Sequence, residues 1–338
     1  MSQNRLFETY LTAIDEELRT VINSAPSAPF FDVMLSYPFG WVDELGNPYH
    51  MPAGKRIRPL LVLLSAATVG GDWKKALPAA AGIEILHNFS LVHDDIEDQS
   101  ETRHNRPTAW KIWGNANAIN LGDALFVMAY RALTRLQPLG LKPETILRVY
   151  EVFTENNLEL TRGQHLDMRF ETQPIISTED YVSMVKGKTA ALVASCTEIG
   201  ALIGSEDPQR ARHFAEFGLN LGIAFQIRDD ILGIWGDPEK TGKSAAIDII
   251  SRKKSLPVLY GLEQNSDLKA LYLQPEFSDA DVTRTVQLLN AVNAQEHAVE
   301  LETRYHQQAM QALENANPSG AEAEVLLRLT NSLLQREA

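Results

Sequence analysis

The sequence predicts an all-α fold in a single domain that spans residues 1–338. Apolar residues recur every three to four positions along most of the chain, which is the periodicity of helices with one buried face. No segment alternates apolar and polar residues as a half-buried strand would, and no repeat of fixed period is present. Together these observations indicate helices packed around one core.

Predicted helices lie between the Gly- and Pro-rich breaks of the chain. In order, they cover residues 4–23, 55–69, 73–98, 116–135, 144–164, 178–204, 207–235, 255–263, 279–296, 298–315 and 319–335. The segments 24–54, 99–115 and 236–250 are predicted loops. The first loop is rich in proline and aromatic residues, and its aromatic side chains predict that it packs on the body of the protein.

The segment 83–98 organises this arrangement. It reads I-E-I-L-H-N-F-S-L-V-H-D-D-I-E-D, an apolar helix that ends in clustered acids. Asp94 and Asp98 are four residues apart, so a helix places both carboxylates on one side, one turn apart. Carboxylates gathered in this way favour a hard cation such as Mg²⁺. A solvated helix end is the alternative interpretation of so short a motif.

A second apolar helix ends in the same manner. Residues 225–237 read F-Q-I-R-D-D-I-L-G-I-W-G-D, with the paired acids Asp229 and Asp230. This recurrence argues against a solvated helix end, and it predicts that the two acid motifs face one cavity and share several metal ions. Mg²⁺ usually bridges one or two carboxylates to substrate phosphates, so a phosphorylated substrate is expected.

Composition excludes several classes of function. The net charge of −13 argues against a nucleic acid partner. The single Cys196 excludes an internal disulfide framework and is typical of a reducing compartment, so a cytoplasmic protein is predicted. The N-terminus lacks an apolar signal core, and no apolar run reaches the roughly 18 residues that a transmembrane segment needs.

Basic residues occur in discrete clusters beside the acid motifs. The clusters are Lys55, Arg56 and Arg58; Arg103, His104 and Arg106; Lys186 and Lys188; Lys240 and Lys243; and Arg252, Lys253 and Lys254. Each cluster alone is typical of a solvated face, but their placement favours phosphate binding. The glycine-rich segments match neither the P-loop nor the dinucleotide motif, and H-E-x-x-H and G-x-S-x-G are absent. A nucleotide fold, a zinc protease and a serine hydrolase are therefore disfavoured.

With these motifs in this order, the sequence resembles the trans-type polyprenyl diphosphate synthases, a family that includes farnesyl and geranylgeranyl diphosphate synthases. The resemblance runs from about residue 54 to residue 262. Its motifs are G-K-R-I-R-P (54–59), H-N-F-S-L-V-H-D-D-I-E-D (87–98), R-H-N-R-P-T (103–108), G-D-A-L (122–125), G-Q-H-L-D (163–167), K-G-K-T-A-A-L (186–192), F-Q-I-R-D-D-I-L (225–232), G-K-S-A-A-I-D (242–248) and R-K-K-S-L-P (252–257). It implies a helical bundle with a central cavity, and a homodimer.

The resemblance also implies a reaction, the head-to-tail condensation of isopentenyl diphosphate with an allylic prenyl diphosphate. Three Mg²⁺ ions are expected with the bound diphosphate, held by Asp94, Asp98 and Asp229. The other residues implied for the allylic substrate are Asp230 near the metal, Arg103, Lys188, Lys243 and Lys254 as cations, and Thr189 and Gln226 beside the carbocation. Those implied for isopentenyl diphosphate are Lys55, Arg58, His87 and His104.

Two positions depart from the family's pattern. His104 stands where a second arginine is usual, so the charge of this site is expected to depend on pH. Gly233 replaces the usual last aspartate of the second acid motif. Asp237 is either an acid that partly compensates or an ordinary helix-end residue, and the second interpretation is slightly favoured.

Phe89 and Ser90 bear on product length, because they come just before Asp94. In this family a large side chain there resembles a floor that stops the growing tail. One aromatic residue with a small neighbour, and no insertion within D-D-I-E-D, favours a C20 product, with C15 next. The alternative is that Phe89 is plain core packing.

Two other functions remain open at this point. A class I terpene cyclase shares the helical fold and the acid-rich metal sites, but it needs only one diphosphate pocket. The cluster of Lys55, Arg58 and His87 argues for a second pocket and therefore for chain elongation. A regulatory subunit that has lost its chemistry ranks third, because the first acid motif is intact and the second is only partly altered.

Overall fold

The chain is folded mostly into α-helices in the computed structural model, which describes residues 3–49, 56–173, 176–237, 246–274 and 276–334. The predicted all-α class is therefore confirmed. The chain divides into two compact units. The first unit comprises Met1–Tyr150 and Ile199–Asp207, and the second comprises Glu151–Glu198 and Pro208–Ala338. The prediction of a single domain stays a prediction.

The first unit contains the earlier helices and a short hairpin. Its elements are α1 (Gln3–Ile22), α2 (Phe31–Ser36), α3 (Ile57–Thr68), α4 (Leu77–Glu97), β1 (Thr102–Arg103), β2 (Arg106–Pro107), α5 (Ala109–Thr134), the start of α6 (Pro143–Thr172) and the end of α8 (Ala191–Ser205). The two strands pair in antiparallel fashion, with Arg103 opposite Arg106.

Helix α4 lies at the centre of the first unit, where it packs against α1, α3 and α5. Its apolar residues surround the helix axis, as expected for a buried helix, and Ile83, Ile85 and Leu86 are fully enclosed. Each such side chain stabilises the fold by about 1.5–3 kcal/mol. The acids at the C-terminal end of α4 are therefore carried on a rigid element.

The second unit contains the later helices. Its elements are the rest of α6, α7 (Thr178–Val185), a π-helical turn (Lys186–Ala190), the start of α8, α9 (Pro208–Trp235), α10 (Ile247–Ile250), α11 (Leu256–Gln264), α12 (Ser266–Tyr272), α13 (Asp279–Ala291), α14 (Ala294–Asn315) and α15 (Ala321–Leu334). Helices α9 and α14 pack along each other, and an ion pair of 2.7 Å joins Arg228 Nη2, on a half-buried side chain, to Oε2 of the buried Glu302.

Several boundaries differ from the predicted ones. Helix α5 begins at Ala109, inside the predicted loop 99–115, and continues across a kink at Gly114, where φ is 79°. The segment 24–54 contains α2 and a 3₁₀ turn, in which Tyr37 and Phe39 are buried, whereas Phe30 is exposed. The prediction that this segment packs on the body of the protein stays a prediction. Helix α12 was not predicted. Among the described residues, no helix has the length and apolar character needed to cross a membrane.

Candidate active site

The first acid motif lies at the C-terminal end of α4. Asp94 and Asp95 belong to its last turn, and Asp98 follows the helix and donates its backbone N–H to the carbonyl of Asp94. Asp98 is exposed, the Asp94 side chain is 21% exposed, and Asp95 is buried. The C-terminal end of a helix carries partial negative charge, which makes these carboxylates unfavourable unless a cation is close.

Arg103 supplies such a cation from strand β1. Its Nε donates to Asp95 Oδ1 at 2.8 Å, and its Nη2 donates to Asp94 Oδ2 at 3.2 Å. Burial alone would lower the pKa of Arg103, but the hydrogen bonds and charges of Asp95 and Asp94 outweigh it and raise the pKa. His104 is exposed in the turn of the hairpin, with a positive φ of 51°. The predicted role of His104 stays a prediction.

Earlier on α4, His87 contacts an arginine of α3. Arg58, in the first turn of α3, places Nη1 3.2 Å from Nε2 of His87 on α4. Burial of the His87 ring, followed by the charges of Arg58 and Arg103, lowers its pKa well below the usual value. The imidazole is therefore neutral near pH 7, and it accepts a hydrogen bond from Arg58 instead of contributing charge. Lys55 lies outside the described residues.

Glu84 lies one turn before His87 on α4, and it pairs with Arg56, two residues before Arg58. Arg56 Nη1 donates to Glu84 Oε1 at 2.6 Å, and the two side chains are only 7% and 9% exposed. Arg56 has a positive φ of 43° at the start of α3. The Glu84 carboxylate therefore neutralises Arg56 and fixes the basic segment that leads to Arg58.

The second acid motif lies on α9, and its two aspartates have different environments. Asp229 is partly exposed, whereas Asp230 is fully buried. The carboxylate of Asp230 accepts four hydrogen bonds, from Tyr181 Oη at 2.6 Å, and from Gln226 Nε2, Lys253 Nζ and the Leu256 backbone N–H at 3.1 Å each. Asp230 therefore fixes the positions of Tyr181, Gln226 and Lys253. Asp229 is the candidate metal ligand of the two aspartates.

Thr189, Gln226 and Lys188 lie near this network. The Thr189 hydroxyl donates to Gln226 Oε1 at 2.9 Å, and the Gln226 amide donates to Asp230. The Lys188 ammonium pairs with the Asp167 carboxylate. Three residues predicted from the sequence are thus brought together in one hydrogen-bonded chain, and Lys188 is held in the π-helical turn that also contains Thr189.

A phosphate role was predicted for Lys254, but its neighbour Lys253 is the lysine that lies beside the acids. The Lys254 ammonium donates to the backbone carbonyls of Phe170 and Glu171, in the last turn of α6. Lys253 instead lies 3.1 Å from Asp230 Oδ1 and 3.5 Å from Asp248 Oδ2. The predicted phosphate role of Lys254 stays a prediction, and Lys243 lies outside the described residues.

The two residues predicted to set product length lie one to two turns before the first acid motif. The Phe89 ring packs against Phe126 of α5 at 5.1 Å and against His93 at 4.8 Å, and Phe126 in turn contacts Tyr130 at 5.4 Å. The Ser90 hydroxyl donates to the His87 carbonyl. Phe89 is therefore the first member of an aromatic row shared by α4 and α5.

The donor set of the acid motifs fits Mg²⁺. Among the described residues, no three His, Cys, Asp or Glu side chains form a ready-made metal cluster. Asp94 and Asp98 nevertheless present two oxygen ligand groups at one helix end, and they are accessible to an ion that keeps several waters and also binds phosphate oxygens. The site is thus suited to a metal that arrives with its diphosphate.

Sequence reasoning missed several residues of these networks. They are Glu84, Asp95, Asp167, Tyr181 and Asp248. Arg56 and Lys253 were predicted only as members of basic clusters, without their carboxylate partners. Asp167 carried a usable signal, because it ends the motif G-Q-H-L-D. Tyr181 carried none, because an isolated tyrosine on a predicted helix is indistinguishable from core packing.

Fold and site together define an all-α protein with two acid-bearing helices and adjacent cations. The chain belongs to the polyprenyl synthetase family, whose model matches residues 40–289. The (2E,6E)-farnesyl diphosphate synthase of Mycobacterium tuberculosis is 41% identical over 232 residues, which are 69% of this chain and 63% of that relative. The geranylgeranyl diphosphate synthase of the same organism is 38% identical over 310 residues, 90% of this chain and 86% of that protein.

A solved structure agrees with this assignment. The polyprenyl synthetase from Streptomyces coelicolor A3(2) has a TM-score of 0.90 and 34% sequence identity to this chain, and the comparison covers 98% of this chain and 99% of that one. The predicted membership of the polyprenyl diphosphate synthase family is therefore confirmed.

Proposed function

We propose that this protein is a prenyltransferase that condenses isopentenyl diphosphate head-to-tail (1′-4) with an allylic prenyl diphosphate. The product is a short-chain trans-prenyl diphosphate. The observation that carries the proposal is the arrangement along α4. Its end bears Asp94 and Asp98, with Arg103 beside them, and two turns earlier His87 holds Arg58. Helix α4 thus carries an acid cluster of the kind that binds a metal–diphosphate. Through His87 it also contacts Arg58 of α3, a basic group of the kind that binds a second diphosphate.

The acid motifs bind the allylic substrate in this proposal. Asp94, Asp98 and Asp229 hold Mg²⁺, with three ions expected, and Asp230 supports the second motif. The metal supplies Lewis-acid stabilisation of the negative charge that develops on the leaving diphosphate. Arg103, Lys188, Lys243 and Lys254 add positive charge around the same group, which is electrostatic stabilisation in a preorganised site.

Ionisation breaks the allylic C–O bond and leaves a carbocation and a free diphosphate. The Thr189 and Gln226 oxygens lie 2.9 Å apart and are oriented through Asp230, so they are suited to stabilise the cation. The double bond of isopentenyl diphosphate, held by Arg58, His87, Lys55 and His104, attacks the cation. The proton lost in the last step goes to the departed diphosphate, which makes a side-chain base unnecessary.

A C20 product is favoured, with C15 next. The contact of Phe89 with Phe126 supports a floor that limits the growing tail, because it places two large rings side by side one to two turns before Asp94. The two relatives described above are named for C15 and C20 products, so both lengths stay within the proposal.

A homodimer in the cytoplasm completes the proposal. Helix α5 presents Ile119 and Val127, which are 46% and 64% exposed and lie two turns apart on one side of the helix. Apolar side chains of this size on one exposed face favour a second copy of the chain as partner. The lone cysteine, Cys196, is buried, and it fits a reducing compartment.

The test is a product assay with the purified protein and Mg²⁺. Isopentenyl diphosphate is supplied with each of the C5, C10 and C15 allylic primers, and the products are sized. The proposal expects products that are longer than the primer by whole C5 units and that require isopentenyl diphosphate. Products formed from the primer alone would indicate the cyclase, and turnover that needs a second, different chain would indicate the regulatory subunit.

A further inference from the structure

Gly222 of α9 lies directly against the main chain of the π-helical turn Lys186–Ala190. A Cβ atom at position 222 would be 2.6 Å from the Ala190 Cα and 2.9 Å from the Ala190 Cβ. Both atoms belong to a buried residue and cannot swing aside as the end of a long side chain does. A side chain at position 222 would therefore push α9 and the turn apart by about 0.9 Å, the step from 2.6 Å to a normal carbon contact of about 3.5 Å.

The π-helical turn is also packed closely against α6, which limits how far it can move. A Cβ atom at Gly187 would be 2.5 Å from the Glu159 carbonyl oxygen and 2.8 Å from the Gly163 Cα. Gly187 and Ala190 are both buried. The turn is thus in backbone contact with α6 as well as with α9, and a side chain at position 222 would meet a main chain that is already fixed.

The contact at Gly222 lies next to the hydrogen bond between Thr189 and Gln226. Thr189 immediately precedes Ala190, and Gln226 follows Gly222 by one turn of α9. The Thr189 hydroxyl donates to Gln226 Oε1 at 2.9 Å. If α9 and the turn moved apart by about 0.9 Å, this distance would grow to about 3.8 Å, which is too long for a hydrogen bond. The hydrogen bond therefore depends on the absence of a side chain at position 222.

Asp230 fixes the direction of the hydrogen bond between Thr189 and Gln226. A carboxylate only accepts, so the Gln226 amide turns its N–H towards Asp230 Oδ1, at 3.1 Å, and its carbonyl oxygen towards Thr189. The Thr189 proton is therefore engaged by Gln226, and the hydroxyl keeps its lone pairs for another partner. Oxygen lone pairs held in this way stabilise a neighbouring carbocation, whereas a hydroxyl proton that pointed at the carbocation would oppose its formation.

We propose that Gly222 is a positioning residue of the reaction: it lets α9 approach Ala190 closely enough for Thr189 to donate its proton to Gln226. The kinetic part of this proposal rests on the proposed function, in which the Thr189 and Gln226 oxygens stabilise the carbocation. The structural part, the dependence of the hydrogen bond between Thr189 and Gln226 on Gly222, is independent of turnover.

Gly222→Ala is the test, and Gly218→Ala is its matched control. Gly218 lies one turn earlier on α9, where a Cβ atom would be 2.7 Å from the Ala194 Cα of α8. Both variants add one methyl group to a close backbone contact, so both should lower the Tm. Only Gly222→Ala should lower kcat by about tenfold or more, while the KM for isopentenyl diphosphate stays within about twofold. Equal losses of kcat in the two variants would overturn the proposal.

A double-variant cycle with Thr189→Ala shows whether Gly222 acts through the hydrogen bond. If it does, Thr189→Ala should lower kcat and Tm in the wild type, but it should lower neither appreciably in Gly222→Ala, because the bond is already broken there. Losses that are independent in the two backgrounds would overturn the proposal. The Tm cycle needs no turnover, so it tests the contact even if the wild-type chain proves inactive in the condensation, and the two failures are distinguishable.

A second variant covers the case in which Gly222→Ala yields no folded protein. Ala190→Ser enlarges the same contact from the side of the turn by a single atom, which is a milder change. It should lower kcat in the same direction and should show the same loss of coupling to Thr189→Ala. A folded Ala190→Ser variant with the kcat of the wild type would contradict the proposal.

Discussion

Buried carboxylates pair with particular cations inside each unit. Glu84 neutralises Arg56 inside the first unit, and Asp230 and Asp248 share Lys253 inside the second. The neighbouring cation Arg58 is instead paired with a neutral imidazole. A buried cation that has lost its counter-ion is costly, so Arg56 depends on Glu84. Arg56 is therefore assigned a structural role, whereas the proposed function assigns Arg58 to isopentenyl diphosphate.

Removal of the Glu84 charge is expected to disturb isopentenyl diphosphate binding selectively. In Glu84→Gln the Arg56 guanidinium is left buried without its counter-ion, which destabilises the fold by about 3–5 kcal/mol and displaces the segment before Arg58. The KM for isopentenyl diphosphate should rise about tenfold, equivalent to about 1.4 kcal/mol of binding. The KM for the allylic substrate should change little. Steady-state kinetics with each substrate varied in turn checks this.

Glu8→Gln, on the exposed side of α1, is the matched control and should behave as the wild type. An equal rise of both KM values in Glu84→Gln would show a general loss of structure instead of a selective effect, and would contradict the assignment.

The low pKa of His87 predicts a pH dependence of stability. Burial lowers the pKa in the folded chain, whereas the unfolded chain takes up a proton near its ordinary value of about 6.5. The stabilisation is therefore complete above about pH 6.5 and is lost as the pH falls from there towards the folded-state pKa. Urea unfolding at pH 7.5 and 5.5 should show a loss of about 1 kcal/mol from this residue in the wild type.

The loss assigned to His87 should be missing in His87→Gln, which cannot titrate and keeps an acceptor for Arg58. Other groups also titrate in this range, so the comparison is between the two proteins at each pH. If both lose the same free energy of unfolding between pH 7.5 and 5.5, the imidazole is not the group responsible.

At the scale of elements, the crossing of α6 with the π-helical turn positions Lys188 and Thr189. A Cβ at Gly163 would lie 2.5 Å from the Gly187 carbonyl carbon, and one at Gly187 would lie 2.5 Å from the Glu159 carbonyl oxygen. Two glycines thus let the backbones approach, and Asp167, one turn after Gly163 on α6, then meets the Lys188 ammonium. The glycines of G-Q-H-L-D and K-G-K-T therefore bring the two backbones together, and the Asp and the second Lys of these motifs form the ion pair.

Long helices could be predicted from the sequence, because their burial pattern follows directly from apolar periodicity. The extents of α9 and α4 were predicted to within a few residues. The π-helical turn could not be predicted, because Lys186–Ala190 is too short a segment to show a change of period. The start of α5 was missed because Gly114 and the surrounding polar residues resemble a loop, although Trp113 packs edge-on against Tyr37 at 5.2 Å.

Site residues could be predicted where a motif and its spacing point to one residue. They could not be predicted where two adjacent residues of the same type are both candidates. Asp94, Asp98 and Arg103 follow from motif position, and Arg103 does contact Asp94. The choice between Lys253 and Lys254 does not follow, because it depends on which ammonium the chain turns towards Asp230. Buried partners such as Tyr181 and Asp248 are likewise defined by tertiary packing alone.

The aromatic row on α4 and α5 gives a prediction about product length. Phe89→Ala removes the ring that meets Phe126 and opens space one to two turns before Asp94. The longest product should increase by at least one C5 unit, with the total rate within about tenfold of the wild type, as read by chromatography of the hydrolysed products. Ser90→Ala changes little volume and is the control. Unchanged product length in Phe89→Ala would show that Phe89 is core packing and not a floor.

At the scale of the whole molecule, each unit carries only part of the groups that the proposed reaction needs. The first unit supplies Asp94, Asp98, Arg58 and His87, and the second supplies Asp229, Lys188, Thr189 and Gln226. The chain as a whole is strongly acidic, with a net charge of −13, so two anionic substrates are attracted only by local cations and metal ions. Binding of a metal–diphosphate is therefore expected to depend on carboxylates of both units.

Thermal stabilisation by Mg²⁺ with inorganic diphosphate tests this dependence without turnover. A ligand that binds the folded chain alone, at about 100 times its Kd, adds about 2.7 kcal/mol of stability. For a chain of this size we expect the Tm to rise by about 3–5 °C. Asp94→Asn and Asp229→Asn should each abolish most of that rise, because each removes a metal-binding carboxylate. Asp267→Asn, on the exposed first turn of α12, should keep it. A full Tm rise in either Asp94→Asn or Asp229→Asn would contradict a metal site shared by the two acid motifs.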